Sequence, residues 1–142
     1  MLDAVLRPVV DRLTIPVAAV LARQGIGANA VSIGGAVLGL AGAVAIAAGA
    51  PLAGLVLFIL GRISDGLDGA VARASGTGPT DWGGFLDIVL DFLVYAAIPL
   101  AFAMLDPGSN GVAAALLLAS FLANGSAFLA FATIAAKRGL ST

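Results

Sequence analysis

Five of the eight acidic residues in this sequence lie in one stretch near its middle. They are Asp65, Asp68, Asp81, Asp87 and Asp91, and the segments on both sides are long, apolar and nearly free of charge. A carboxylate in such surroundings is costly unless it pairs with a cation, binds a metal or faces water. The stretch is therefore the candidate functional site of the chain.

The spacing of four of these aspartates predicts two helices. Asp65 and Asp68 are three residues apart and Asp87 and Asp91 are four apart, so each pair lies on one helical face. The segment between them, ASGTGPT at 74–80, has the composition of a turn and makes the helices antiparallel neighbours. Four facing carboxylates repel one another at low dielectric, so either some stay protonated or a cation lies among them. Oxygen ligands favour a hard divalent ion such as magnesium, manganese or calcium.

The composition indicates an integral membrane protein. The chain has 142 residues, of which 61% are hydrophobic, and its mean hydropathy is +1.10. It has no cysteine and no histidine, which excludes disulfides, thiolate chemistry, Ser-His-Asp triads and metal sites built on Cys or His. All eight acidic residues are aspartates, so acid–base chemistry falls to Asp, Lys137 or Tyr95. A net charge of −1 offers no electrostatic case for binding nucleic acid.

Hydropathy and breaker residues predict an all-α, polytopic transmembrane helix bundle. An amphipathic helix over residues 1–13 is expected to lie in the membrane interface. Four segments of about 20 apolar residues or more are long enough to span a bilayer. They cover residues 29–49, 51–74, 81–105 and 111–136.

The positive residues predict an orientation for these spans. Arg7, Arg12, Arg23, Arg73, Lys137 and Arg138 all lie beside the two termini or the 74–80 turn. The connections near Ala50 and Asp106 have no Lys or Arg. The positive-inside rule then places both termini, the turn and the mouth of the acidic site in the cytoplasm.

The acidic stretch resembles the signature of the CDP-alcohol phosphatidyltransferase family. That signature is D-x-x-D-G-x-x-A-R, a spacer, and G-x-x-x-D-x-x-x-D. Gly83 or Gly84 fills the glycine position after the spacer, and Asn29–Ser32 is similar, more weakly, to a P-N-x-x-T opening of the family. The other matching residues are Asp65, Asp68, Gly69, Ala72, Arg73, Asp87 and Asp91.

The resemblance implies a fold and an activity. The family core has six transmembrane helices, so residues 1–142 are expected to form one membrane domain that lacks the last helices of that core. Family members transfer a substituted phosphate from a CDP-linked donor to an alcohol and release CMP, in phospholipid biosynthesis. For this chain the expected donor is CDP-diacylglycerol and the expected acceptor is a small or lipid alcohol. The expected setting is the inner (plasma) membrane, among membrane lipids and as a homodimer.

The resemblance also implies roles for individual residues. Asp65, Asp68 and Asp87 are expected to hold Mg²⁺ or Mn²⁺, and Asp91 is expected to accept the proton of the acceptor hydroxyl. The CDP donor is expected to contact a third set of residues, Gly69, Ala72 and Arg73.

Other interpretations of the same residues stay open. Acidic residues on facing membrane helices also build cation channels and transporters, and the chain could instead be a non-catalytic membrane fragment. The crowding of the charges at one membrane face counts against a channel. Arg62 is expected either to pair with Asp65 or to contact donor phosphate, and Asp81 is expected to cap the helix that it opens.

Overall fold

The computed structural model describes residues 14–78 and 80–139, and its regular structure there is entirely helical. The predicted amphipathic helix over residues 1–13 lies outside the described residues. The all-α prediction is confirmed for the part of the chain that the structure describes. The helices are α1 (Thr14–Arg23), α2 (Ala28–Ala47), α3 (Pro51–Ala74), α4 (Asp81–Leu105) and α5 (Pro107–Lys137).

Local chemistry explains where the long helices begin. Pro51 and Pro107 occupy the first turns of α3 and α5, where a missing N–H costs nothing. The Thr80 hydroxyl caps α4 by accepting a hydrogen bond from the Gly83 N–H at 3.0 Å. The expectation that Asp81 is the cap was therefore wrong: Asp81 is the first helical residue, where its charge complements the helix dipole.

The four predicted spans correspond to helices α2 to α5. Helices α2, α4 and α5 are long and apolar enough to cross a membrane. Helix α3 has 24 residues, a comparable length, but its C-terminal half carries the charged residues of the acidic stretch. The described chain is thus a polytopic helix bundle in which one long helix is polar at one end.

Helix α2 lies at the centre of the packing that positions the site. It runs antiparallel to α3, with Gly35 against Gly61 and Gly42 against Gly54. A methyl group added at Gly61 would lie 2.7 Å from the Gly35 carbonyl oxygen, so only glycine allows this approach. On another face, α2 runs parallel to α4, whose Val94 packs directly against Gly39 of α2.

Helix α5 packs antiparallel to α4. The Phe92 ring lies against Gly125, and the Tyr95 and Phe121 rings have centroids 5.8 Å apart. Helices α3 and α4 each pack on α2 and face each other mainly through side chains. The start of α2, the end of α3 and the start of α4 therefore meet at one end of the bundle, where the aspartates lie.

Candidate active site

Three of the four motif aspartates form a compact cluster between α3 and α4. One carboxylate oxygen from each of Asp65, Asp87 and Asp91 lies within 4.8 Å of the other two. The helical spacing predicted that the two pairs would face each other, and these three residues do. We call Asp65, Asp87 and Asp91 the carboxylate cluster.

Asp68, the fourth motif aspartate, is held by a different partner. Its Oδ2 accepts a 2.6 Å hydrogen bond from the hydroxyl of Ser32 in α2. Ser32 is 5% exposed and its hydroxyl also lies 3.2 Å from the Ala28 carbonyl oxygen. From the sequence, Ser32 belongs only to the weaker family match at the start of α2, and no role is expected for it. A polar residue on the glycine-rich packing face of an apolar helix was the signal that could have found it.

A cavity of about 410 Å³ opens beside the cluster. Gly69, Ala72 and Arg73, which were expected to contact a CDP donor, all line it, together with Asp68 and Asp87. Asp87 therefore belongs to both the cavity and the carboxylate cluster. The remaining lining residues are Ala28, Asn29, Ser32, Gly78, Thr80, Gly83 and Gly84.

The glycines of the cavity wall serve two purposes. A methyl group at Gly83 would lie 3.1 Å from Thr80 Oγ1 and 3.4 Å from Asn29 Oδ1, so Gly83 lets the α4 cap approach α2. A methyl group at Gly69 would meet only Arg73 Nη1, at 3.5 Å, and one at Gly84 would meet nothing within 4 Å. Gly69 and Gly84 thus leave room for a ligand rather than for a neighbouring helix.

Arg62 connects α3 to α4 by contacting Asp91 and Tyr95 of α4. Its Nη1 donates to Asp91 Oδ1 at 2.6 Å and to Tyr95 Oη at 3.2 Å, and lies 3.4 Å from Asp65 Oδ2. The expected pairing with Asp65 is present, but the shorter contact is with Asp91. That partner was missed because it is 29 residues away, on another helix. Arg73, by contrast, forms no ion pair with a described residue and lines the cavity.

The chemistry of the cluster suits a hard divalent cation. Two oxygens on opposite sides of a Mg²⁺ or Mn²⁺ ion lie about 4.2 Å apart, at about 2.1 Å from the metal. The oxygens of two predicted ligands, Asp65 and Asp87, lie within 4.8 Å of each other, close to that separation. Asp68, the third predicted ligand, lines the cavity together with Asp87. The residues present therefore fit the metal that the motif implies.

Comparison with known proteins identifies the family. The model of the CDP-alcohol phosphatidyltransferase family matches residues 26–141, and the chain belongs to this family. The resemblance inferred from the aspartate motif is thus confirmed.

One relative is the inner membrane protein YnjF of Escherichia coli (strain K12), which is 44% identical over 137 residues. The alignment covers 96% of this chain and 66% of that relative. The chain thus spans about two thirds of the length of the curated relative that it matches. No solved structure matches it.

Proposed function

We propose that this protein transfers a substituted phosphate group from a CDP-linked donor to an alcohol and releases CMP, with the help of a divalent cation. CDP-diacylglycerol is the proposed donor, because the cavity belongs to a bundle of apolar helices that are long enough to cross a membrane, where the lipid tails of such a donor would be held. The observation that carries the proposal is the position of Asp87. It lies at once on the wall of the cavity and in the carboxylate cluster, so a donor in the cavity would present its phosphates to the carboxylates.

The cavity residues supply the donor site in this proposal. Its volume of about 410 Å³ falls within the usual range for small-molecule sites, about 300 to 1,000 Å³. The bare backbone at Gly69 and Gly84 leaves space for the donor to approach α3 and α4 closely. Arg73, which has no ion-pair partner among the described residues, is free to bind a phosphate oxygen.

The aspartates divide the remaining work. Asp65, Asp68 and Asp87 would hold Mg²⁺ or Mn²⁺, which when bound neutralises charge on the donor pyrophosphate and assists the departure of CMP. Asp91 would accept the proton of the acceptor hydroxyl. A bond then forms between that oxygen and the donor phosphorus, and the bond from phosphorus to the CMP oxygen breaks. CMP leaves with the electron pair.

The proposed setting is the inner membrane, by analogy with the relative from Escherichia coli. The distribution of Lys and Arg favours a cavity that opens to the cytoplasm, where soluble CMP can leave. The acceptor would be an alcohol whose hydroxyl group reaches Asp91. A cation channel is disfavoured, because the guanidinium of Arg62 lies against two of the three clustered carboxylates and would repel a passing cation.

The proposal is tested by measuring CMP release. The purified chain in phospholipid vesicles would receive CDP-diacylglycerol, Mg²⁺ and a mixture of glycerol phosphate, serine and inositol phosphate. We expect CMP release that stops in excess EDTA and returns with Mn²⁺. Asp87→Asn should abolish it, whereas Asp106→Asn, at an exposed aspartate between α4 and α5, should not. Unchanged release in EDTA would remove the metal from the mechanism, and ion flux without CMP release would favour a channel.

A further inference from the structure

The carboxylate cluster contains three aspartates whose oxygens all lie within 4.8 Å of one another, yet the proposed function gives them two roles. What distinguishes them is Arg62. Its Nη1 lies 2.6 Å from Asp91 and 3.4 Å from Asp65, and it forms no ion pair with Asp87. The guanidinium of Arg62 therefore lies closer to Asp91 than to Asp65.

Arg62 is fixed in this place by its surroundings. Its guanidinium carbon lies 5.3 Å from the centroid of the Tyr95 ring and 6.0 Å from that of Phe58, within range of cation–π attraction. The Tyr95 hydroxyl accepts a further hydrogen bond from Nη1. The Nε atom is buried and has no hydrogen-bond partner among the described residues. Ring packing and the shared Nη1, rather than a full set of hydrogen bonds, hold the side chain.

We propose that Arg62 is a positioning residue that keeps Asp91 out of the metal's coordination shell and so reserves it as the base. This inference rests on the proposed function. A carboxylate held in a 2.6 Å ion pair with a guanidinium is a poor metal ligand, because the guanidinium and the divalent ion repel each other across it. The longer 3.4 Å contact holds Asp65 less tightly and leaves it to the metal. With Oδ1 of Asp91 bound to Arg62, Oδ2 stays available for the proton of the acceptor. Asp87, which Arg62 does not touch, stays available to the metal.

The test measures metal binding directly, without substrates. Mn²⁺ would be titrated into the purified full chain in detergent, and the free ion would be followed by electron paramagnetic resonance. Arg62→Gln removes the charge that repels the ion and frees Asp91 to become a ligand. Mn²⁺ should therefore bind about tenfold more tightly or better. Arg62→Lys keeps the charge and should stay near the wild-type affinity, and Arg23→Gln, which removes an exposed charge on α1, should change nothing.

The same titration in Asp91→Asn protein distinguishes two explanations. Either Arg62 keeps Asp91 from binding the metal, or its charge weakens metal binding in general. In Asp91→Asn protein there is no carboxylate to recruit, so Arg62→Gln should tighten Mn²⁺ binding clearly less than in the wild type. Alone, Asp91→Asn should weaken binding much less than Asp65→Asn. Three results would each overturn the inference. Arg62→Gln could bind Mn²⁺ no more tightly than the wild type, or it could raise the affinity equally in wild-type and Asp91→Asn protein. Alternatively, Asp91→Asn and Asp65→Asn could lose the same Mn²⁺ affinity.

Turnover gives the complementary measurement. Arg62→Gln should bind Mn²⁺ more tightly and yet release CMP more slowly, with the KM for the donor little changed, since its base has become a ligand. A merely structural defect would weaken both properties together. Wild-type protein that binds Mn²⁺ as described but never releases CMP would contradict the proposed function, and the binding results on Arg62 would stand separately.

Discussion

The hydroxyl of Ser32 in α2 donates a 2.6 Å hydrogen bond to Asp68 in α3, across the most closely packed helix interface of the bundle. Hydrogen bonds to a charged group are worth about 1.5 to 3 kcal/mol. Ser32→Ala should therefore let Asp68 leave its orientation toward the cavity, and we expect CMP release to fall about tenfold or more. Ser32→Thr keeps the hydroxyl and should retain much of the activity.

Ser120→Ala is the matched control for this prediction. Among the described residues the Ser120 hydroxyl donates only to the Leu117 carbonyl of its own helix, α5, so its loss should leave CMP release unchanged. Equal activity of Ser32→Ala and wild type would show that the contact with Asp68 does not orient a functional carboxylate.

Asp91→Asn should separate binding from turnover. The amide keeps the shape and hydrogen bonding of the side chain but does not accept a proton, and a general base is typically worth about 10²- to 10⁴-fold in rate. The variant should bind a CDP donor normally in a calorimetric titration and lose most CMP release. Loss of donor and metal binding as severe as that in Asp68→Asn would make Asp91 a ligand and not the base.

Gly61→Ala should destabilise the bundle. The added methyl group would lie 2.7 Å from the Gly35 carbonyl oxygen and 3.2 Å from the Gly39 nitrogen, so α2 and α3 must separate. Overpacking of this kind costs about 1 to 3 kcal/mol. Thermal unfolding of the detergent-solubilised protein, followed by circular dichroism, measures the effect.

Gly66→Ala, on the same helix, provides the control for stability. Nothing lies within 4 Å of the added methyl group, and alanine favours a helix over glycine by about 1 kcal/mol. Its unfolding temperature should be equal to or above that of the wild type. If Gly61→Ala were as stable as Gly66→Ala, the interface between α2 and α3 would not depend on the absent side chain.

The orientation in the membrane can be tested with single cysteines, since the chain has none of its own. Ala50→Cys and Thr77→Cys lie at exposed positions in the connections before and after α3. A membrane-impermeant maleimide added to intact cells should label the first and not the second until the cells are opened. Labelling of both from the same side would contradict the predicted topology.

The sequence predicted where each helix begins and ends better than it predicted which residues meet between helices. The predicted spans 51–74 and 81–105 match α3 and α4, because Pro51 and the turn before Asp81 mark the helix starts chemically. The fourth span was expected to start at residue 111, but α5 begins at Pro107, because the Asp106 carboxylate caps it by accepting from the Ser109 N–H at 3.1 Å. The sequence contained this cap, but hydropathy alone does not detect it.

Contacts between helices were harder to predict for a physical reason. Periodicity shows which residues share a helical face, and this placed Asp87 and Asp91 together correctly. It does not give the rotation or the relative height of two helices. The pairs Arg62–Asp91 and Ser32–Asp68 depend on both quantities, and both are set by glycine contacts along α2. One aspartate of the motif therefore bonds to α2, whereas the other three meet between α3 and α4.

The packing of both acidic helices on α2 has a consequence for how the width of this site can change between related proteins. Because α3 and α4 each pack on α2, the spacing of their backbones depends on the absence of side chains at Gly35, Gly39 and Gly61. A methyl group added there would change the gap that an acceptor must enter, with every aspartate retained. Substrate range could thus diverge among proteins with an identical motif through substitutions at the packing positions between these helices.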